Sequence, residues 1–60
     1  MHKYKIGDKV RVKYLGLTFD ASIVSIIDGG YIAACKSGDT HPIQDQDIMG
    51  PATGEDAKYD

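Results

Sequence analysis

A single cysteine, Cys35, is all that this 60-residue sequence offers for covalent cross-linking. One thiol cannot form a disulfide within the chain, and no second cysteine completes a zinc-binding pair. The positions of the histidines and aspartates match neither a zinc site nor a calcium loop, so we expect no metal and no cofactor. A lone thiol is typical of a reducing compartment, and a small apolar core residue is its commonest role.

Long hydrophobic runs are also missing. The longest uninterrupted apolar run is Tyr31–Cys35, far below the ~20 residues that a membrane-spanning helix needs. The first residues lead into Tyr-Lys-Ile-Gly-Asp rather than into the apolar stretch of a secretory signal peptide. We therefore expect a cytoplasmic protein without a membrane partner.

The charged residues are distributed unevenly along the chain. Residues 1–17 contain five basic residues and one acidic residue, whereas residues 18–60 contain two basic and eight acidic residues. The chain is therefore not uniformly basic, as a typical nucleic-acid-binding domain would be. The net charge of −2 does not by itself assign the charge of a partner.

Strand patterns fill the chain instead of helical ones. The stretch from Lys9 to Tyr14 alternates basic and apolar side chains, which predicts a half-buried strand with both valines inward and the basic side chains outward. Residues 18–27 form a longer strand pattern whose phase changes partway, which is typical of a β-bulge. Asp28-Gly29-Gly30 then predicts a tight turn into a third strand over residues 31–36.

Shorter elements are predicted after the third strand. A turn at Ser37–Asp39 leads to a fourth strand over residues 40–43, which Pro42 confines to an edge. Residues 44–48 predict one turn of 3-10 helix, followed by a brief fifth strand. We therefore expect an all-β domain over residues 1–50 and a flexible acidic tail over residues 51–60. Its expected core consists of Val10, Val12, Ala21, Ile23, Ile26, Tyr31, Ala33 and Ile43.

Several short segments together form a recognisable pattern: Ile6–Val10, Tyr14, Phe19–Ile23, Ile26, Asp28-Gly29, Ser37–Asp39 and Asp47-Ile48. This arrangement resembles the SH3-like small barrel and, within it, Tudor domains. The resemblance covers about residues 5–50 and implies an all-β, five-stranded small barrel with one 3-10 turn.

Tudor domains bind methylated lysine or arginine in a cage of aromatic rings, by cation–π contact. The resemblance places Tyr14 and Phe19 at two ring positions, Ala34 and Ser37 at the other two, and Asp39 where a polar residue often closes the cage. Only two rings are therefore present. The resemblance implies a ligand site at the barrel mouth, formed by Tyr14, Phe19, Ser37 and Asp39.

A more distant similarity links the chain to the small plasmid-encoded, trimethoprim-insensitive dihydrofolate reductases. It rests on Gly7–Val10 and on Gly30-Tyr31. Those enzymes form a pore from four barrels, lined by a Val-Gln-Ile-Tyr stretch, and Thr40–Ile43 stands at that place here. Because no phosphate loop, nucleophile elbow or catalytic triad spacing is present either, we expect no enzyme. A dihydrofolate reductase-like oligomer is the remote alternative.

These observations favour a small non-enzymatic binding module, of the kind found as an accessory protein in a bacterium or phage. The row Lys9, Arg11 and Lys13 predicts phosphate contacts to nucleic acid beside the mouth. The alternative is a solvated strand face that discourages edge pairing. Nucleic acid and protein therefore both stay open as partners.

The apolar residues also exceed what one small barrel can bury. Val24, Ile32 and Ala34 are expected to face away from the core and to form an interface, most simply in a two-fold homodimer. The alternative is a monomer in which the bulge turns Val24 inward and the tail covers Ile32.

Overall fold

The computed structural model describes residues 3–59 and consists of six antiparallel strands and one short 3-10 helix. The elements in chain order are β1 (Lys9–Tyr14), β2 (Leu17–Ile27), β3 (Gly30–Cys35), β4 (Thr40–Ile43), the 3-10 helix (Asp45–Asp47), β5 (Ile48–Pro51) and β6 (Lys58–Tyr59). The all-β prediction and the single 3-10 turn are thereby confirmed.

The strands form one sheet in the order β4-β3-β2-β1-β5, and β6 pairs with β2 outside this path. β4 and β5 therefore stand at the two ends of the order. Closure of these ends into an SH3-like barrel stays a prediction.

The core lies on one face of the central strands. In the β1–β2 ladder, Val10 pairs with Ala21 and Val12 with Phe19, and all four side chains are buried. Such cross-strand apolar pairs are the main stabilising unit of an antiparallel sheet. The complete buried apolar set is Val10, Val12, Phe19, Ala21, Ile23, Tyr31, Ala33 and Ile43.

The predicted bulge in β2 is present at Val24. Ile23 pairs with Ala33 but Ser25 pairs with Ile32, so Val24 is the extra residue. An extra residue in one strand reverses which side chains face the core. The bulge therefore accounts for the phase change read from the sequence.

The prediction that Ile26 belongs to the core is wrong, because its side chain is 39% exposed. β1 pairs with β2 only as far as Ser22, so the distal part of the β2–β3 hairpin extends past the end of β1. Phe19 takes a core position that we had not assigned to it and is 7% exposed.

Residues 51–59, predicted to lie in a flexible tail, lie instead along β1 and β2. The Ala52 amide donates to the Lys9 carbonyl, and β6 pairs with Leu17 and Thr18 of β2. Asp60 lies outside the described residues. We call residues 52–59 the C-terminal strap. The strap has no hydrophobic periodicity in its sequence. Polar contacts, rather than apolar burial, hold it against β1 and β2.

The hydroxyl of Tyr31 joins three parts of the chain. It donates to the Asp45 carboxylate at 2.6 Å and accepts the amides of Lys3 and Tyr4 at 3.0 and 3.2 Å. Burial and the neighbouring Asp45 carboxylate raise the pKa of Tyr31, because both disfavour the phenolate. The buried phenol thus connects β3 to the 3-10 helix and to the N-terminal segment.

Gly30, at the start of β3, packs directly against the end of β4. A Cβ at this position would overlap the carbonyl oxygen of Ile43, which is a backbone atom that cannot rotate away. We expect Gly30→Ala to lower the free energy of unfolding by ~1–3 kcal/mol, the usual cost of overpacking. Urea unfolding measures this change.

The neighbouring Gly29 provides the matched control. Its φ is +78°, and a Cβ there would meet nothing within 4 Å. Asn tolerates this left-handed conformation, so Gly29→Asn is expected to cost no more than ~1 kcal/mol. Equal losses in the two variants would contradict the close approach at Gly30.

Candidate binding groove

A cavity of about 540 Å³ opens at one end of the sheet. We call it the mouth groove. Its floor comes from β2, the end of β3 and β4, one wall is the turn between β3 and β4, and the opposite wall is the C-terminal strap. The lining residues are Leu17, Phe19, Asp20, Cys35, Lys36, Ser37, Asp39, His41 and 54–57. This volume lies within the range of small-ligand sites.

The rings of Phe19 and His41 line the groove, and the ring of Tyr14 contacts His41 from outside the lining. The ring of His41 lies 5.1 Å from that of Tyr14, at an interplanar angle of 37°, and 5.8 Å from that of Phe19, nearly edge-on. β4 pairs His41 with Ala33, whose small side chain leaves space for these rings. His41 was not predicted at the mouth, although its position two residues before the core residue Ile43 places both on one strand face.

The wall between β3 and β4 is a hydrogen-bonded turn. The Cys35 amide donates to the Asp39 carbonyl, and the Gly38 amide donates to the Cys35 carbonyl. The Ser37 hydroxyl lies 3.0 Å from the Cys35 sulfur and donates to the Asp39 carboxylate at 3.3 Å. Hydrogen bonding by Ser37 lowers the pKa of the Cys35 thiol, although partial burial acts in the opposite direction.

The opposite wall is held in place by Arg11. Its guanidinium donates to the Asp20 carboxylate at 3.0 Å and to the main-chain carbonyls of Glu55 and Asp56 at 2.9 and 3.1 Å. The Arg11 side chain is only 5% exposed. A buried guanidinium needs partners for its several N–H donors, and the strap provides two of them.

Asp20 completes this connection from the side of β2. Its carboxylate accepts the amide of Gly54 at 2.7 Å and that of Thr53 at 3.3 Å, besides Arg11. Burial alone would raise the pKa of Asp20, but the hydrogen bonds from Arg11, Gly54 and Thr53, with the charge of Arg11, hold it below 3.8. Asp20 is therefore maintained as an anion that binds the strap.

The groove is acidic. Its lining contains four carboxylates, Asp20, Asp39, Glu55 and Asp56, and the base Lys36. Arg11 pairs with Asp20 at 3.0 Å, and Lys58 and Arg11 lie 3.7 and 4.0 Å from the Glu55 carboxylate. Among the described residues, Asp39 and Asp56 are therefore the lining carboxylates that have no basic partner. The electrostatic field in the groove therefore favours a cation.

The structure brings the residues predicted at the mouth together. Phe19, Ser37 and Asp39 line the groove, and Tyr14 contacts it through the ring of His41. Of the predicted basic row, Lys9 and Lys13 are exposed. The expectation that Arg11 points into solvent is wrong, because the strap covers the outer face of β1 at this position.

The residues predicted to form an interface lie on β2 and β3. Val24 is 44% exposed, whereas Ile32 and Ala34 are half-buried. Ile32 pairs with Ser25 and with Pro42, and Ala34 pairs with Ser22 and with Thr40. These ladder neighbours are uncharged, but Lys9 is the next partner of Ser22 in the sheet, and Lys9, Asp20 and Lys36 border this face near Ala34.

No protein-family model matches this chain, and neither a curated protein nor a solved structure matches it significantly. Within residues 3–59, no three His, Cys, Asp or Glu side chains are grouped so as to hold a metal ion. The same part of the chain contains no helix long and apolar enough to cross a membrane.

The pKa of Asp20 predicts how acid affects stability. Because its pKa is lowered in the folded state, Asp20 stabilises the fold above its ordinary pKa of 3.8. This contribution is lost as the pH falls through the lower, folded-state pKa. We therefore expect Asp20→Asn to reduce stability at neutral pH, and the difference from the original protein to disappear in stronger acid.

Urea unfolding at a series of pH values measures this difference. Asp28→Asn is the control, since Asp28 lies in the exposed turn between β2 and β3. A stability difference for Asp20→Asn that stays constant from neutral pH to the lowest pH would contradict the assigned role of Asp20.

Proposed function

We propose that this chain is a small non-enzymatic binding module that takes a basic side chain of a protein partner in the mouth groove. The observation that carries this proposal is the combination, in one cavity, of the rings of Phe19 and His41 with the carboxylates of Asp39 and Asp56, which have no basic partner among the described residues. A cation in such a site gains Coulombic attraction from the walls and cation–π attraction from the ring faces.

The resemblance to Tudor domains supports the same class of ligand. That family binds methylated lysine or arginine with aromatic rings, and His41 adds a third ring beside Tyr14 and Phe19. The side chain of Phe19 is almost buried. The half-buried ring of His41 therefore provides the more accessible ring surface in the groove, and Tyr14 contacts that ring from outside the lining.

Charge favours a protein partner over nucleic acid. The acidic lining repels phosphate groups, and Arg11 is occupied by Asp20 and the strap. Lys9 and Lys13 alone are a small footprint, since affinity for nucleic acid grows with the number of phosphates that are neutralised. Binding to nucleic acid is accordingly the competing outcome in the test below.

The test uses three probes: a tetralysine peptide, the same peptide with trimethylated lysines, and a random DNA duplex. We expect both peptides to bind, measured by fluorescence anisotropy, and the duplex not to bind at low salt. Asp39→Asn is expected to weaken peptide binding about two- to fivefold, the range of an exposed ion pair. Asp28→Asn removes the same charge outside the groove and is expected to change little.

Cys35 supplies an independent measurement, because it is the only thiol in the chain and lines the groove. A peptide bound in the groove is expected to slow its alkylation by iodoacetamide. If the duplex binds and the peptides do not, the partner is nucleic acid and the proposal of a protein partner is wrong. Equal effects of Asp39→Asn and Asp28→Asn would remove the groove as the binding site.

Exposed apolar side chains on the β2–β3 hairpin favour a second function, self-association. Val24 and Ile27 are 44% and 39% exposed and lie on the hairpin that also carries the half-buried Ile32. Apolar surface that is continuous across two strands is typical of an interface. A two-fold dimer would cover this surface on both copies.

Light scattering at micromolar concentration tests the dimer. We expect a mass near twice 6.5 kDa for the original chain and a return to the monomer mass for Val24→Lys. Leu15→Lys is the control, because Leu15 is an exposed apolar residue in the β1–β2 turn, outside the proposed interface. A mass near 6.5 kDa at every concentration would exclude the dimer.

A further inference from the structure

The first residues of β2 have an incomplete set of strand partners. β1 pairs with β2 over residues 17–22, but β3 pairs with it only over residues 21–27. Residues 17–20 therefore form a short sheet edge on the side where β3 ends. Backbone N–H and C=O groups at such an edge are available to an added strand.

The chain's own β6 occupies half of this edge. Tyr59 pairs with Leu17 and Lys58 with Thr18. Both β6 side chains are exposed, Tyr59 to 83%. β6 therefore buries little apolar surface, and its pairing relies on main-chain hydrogen bonds.

The remainder of the strap is also held through its backbone. Arg11 donates to two strap carbonyls, and Asp20 accepts two strap amides. These four contacts involve main-chain atoms of the strap, so they depend on the path of its backbone rather than on particular side chains. Gly54, with a φ of +81°, is the position on that path that specifically favours glycine.

We propose that the edge of β2 at residues 17–20, together with Arg11 and Asp20, is a strand-addition site for an extended segment of a partner protein. The C-terminal strap is its resident occupant and is exchanged when the partner binds. The partner segment resembles the strap: it has a glycine at the place of Gly54 and a basic residue followed by an aromatic one at the place of β6.

The edge borders the mouth groove, and Lys58 lies 3.7 Å from the Glu55 carboxylate within the strap itself. Because residues 54–57 form one wall of the groove, strap exchange also removes that wall. A ligand in the groove and a strand at the edge therefore oppose each other, by reciprocal coupling. Strand addition goes beyond the proposed function and does not depend on it.

The first test measures whether the strap opens on its own. Native-state hydrogen exchange on the full chain compares the amides of Thr53 and Gly54 with those of core residues such as Val12 and Ala33. We expect the strap amides to exchange through an opening that leaves the core amides protected. Exchange of all four amides with one common opening free energy would overturn the proposal.

The second test supplies the occupant in trans. The probe is a labelled peptide with the sequence of residues 52–59, and the receptor is the full chain with Lys58→Pro and Tyr59→Pro, which cannot pair β6 with β2. We expect this variant to bind the peptide at least about tenfold more tightly than the original chain, whose edge is occupied. Lys58→Ala with Tyr59→Ala keeps the β6 amides and is expected to bind as weakly as the original chain.

A control peptide with Gly54→Pro lacks the amide that Asp20 accepts and is expected not to bind. Far-UV circular dichroism verifies that the proline variant is folded. A folded proline variant that does not bind the peptide, or that binds it no better than the original chain, would overturn strand addition. This result is separate from the tetralysine test, which needs no exchange of the strap.

Discussion

The ion pair between Arg11 and Asp20 is the constraint on which the site depends. A guanidinium on the outer face of a small sheet would ordinarily be solvated, and here it is covered by the last part of the described chain. Burial of this charge is tolerated because a carboxylate and two carbonyls accept its hydrogens. The same carboxylate accepts two strap amides. One pair of side chains on β1 and β2 therefore positions a whole wall of the groove.

The sequence predicted best those features that depend on neighbouring residues. Alternation in β1, the Gly-Gly turn and the phase change in β2 are local patterns, and the strands and the bulge at Val24 agree with them. Arg11 shows the limit of such reasoning. Alternation assigned it correctly to the face opposite Val10 and Val12, but it cannot tell whether that face is covered. The cover comes from residues 44 and 45 positions further along the chain, which have no periodic pattern of their own.

Sequence patterns also predicted only some of the residues that line the groove. Phe19, Ser37 and Asp39 were predicted at the mouth, and the hairpins place all three on its lining. His41 was not predicted there, although its spacing from Ile43 indicates the core-facing side of β4. Its contacts with the rings of Tyr14 and Phe19 depend on its register opposite Ala33. The acidic strap wall was missed for another reason. Residues 54–57 have the composition of a disordered tail, and their order depends on two residues of the sheet rather than on apolar burial.

Sequence separation gives these contacts an order in folding. Arg11 and Asp20 are 9 residues apart and meet within one hairpin, whereas the strap carbonyls lie 44 and 45 residues from Arg11. Closing a long loop costs more entropy than closing a short one. We therefore expect the ion pair to form first, in contact with water, and the strap to dock later onto a charged surface that is already built. The desolvation cost of the two charges is therefore incurred when the strap docks and not when the sheet folds.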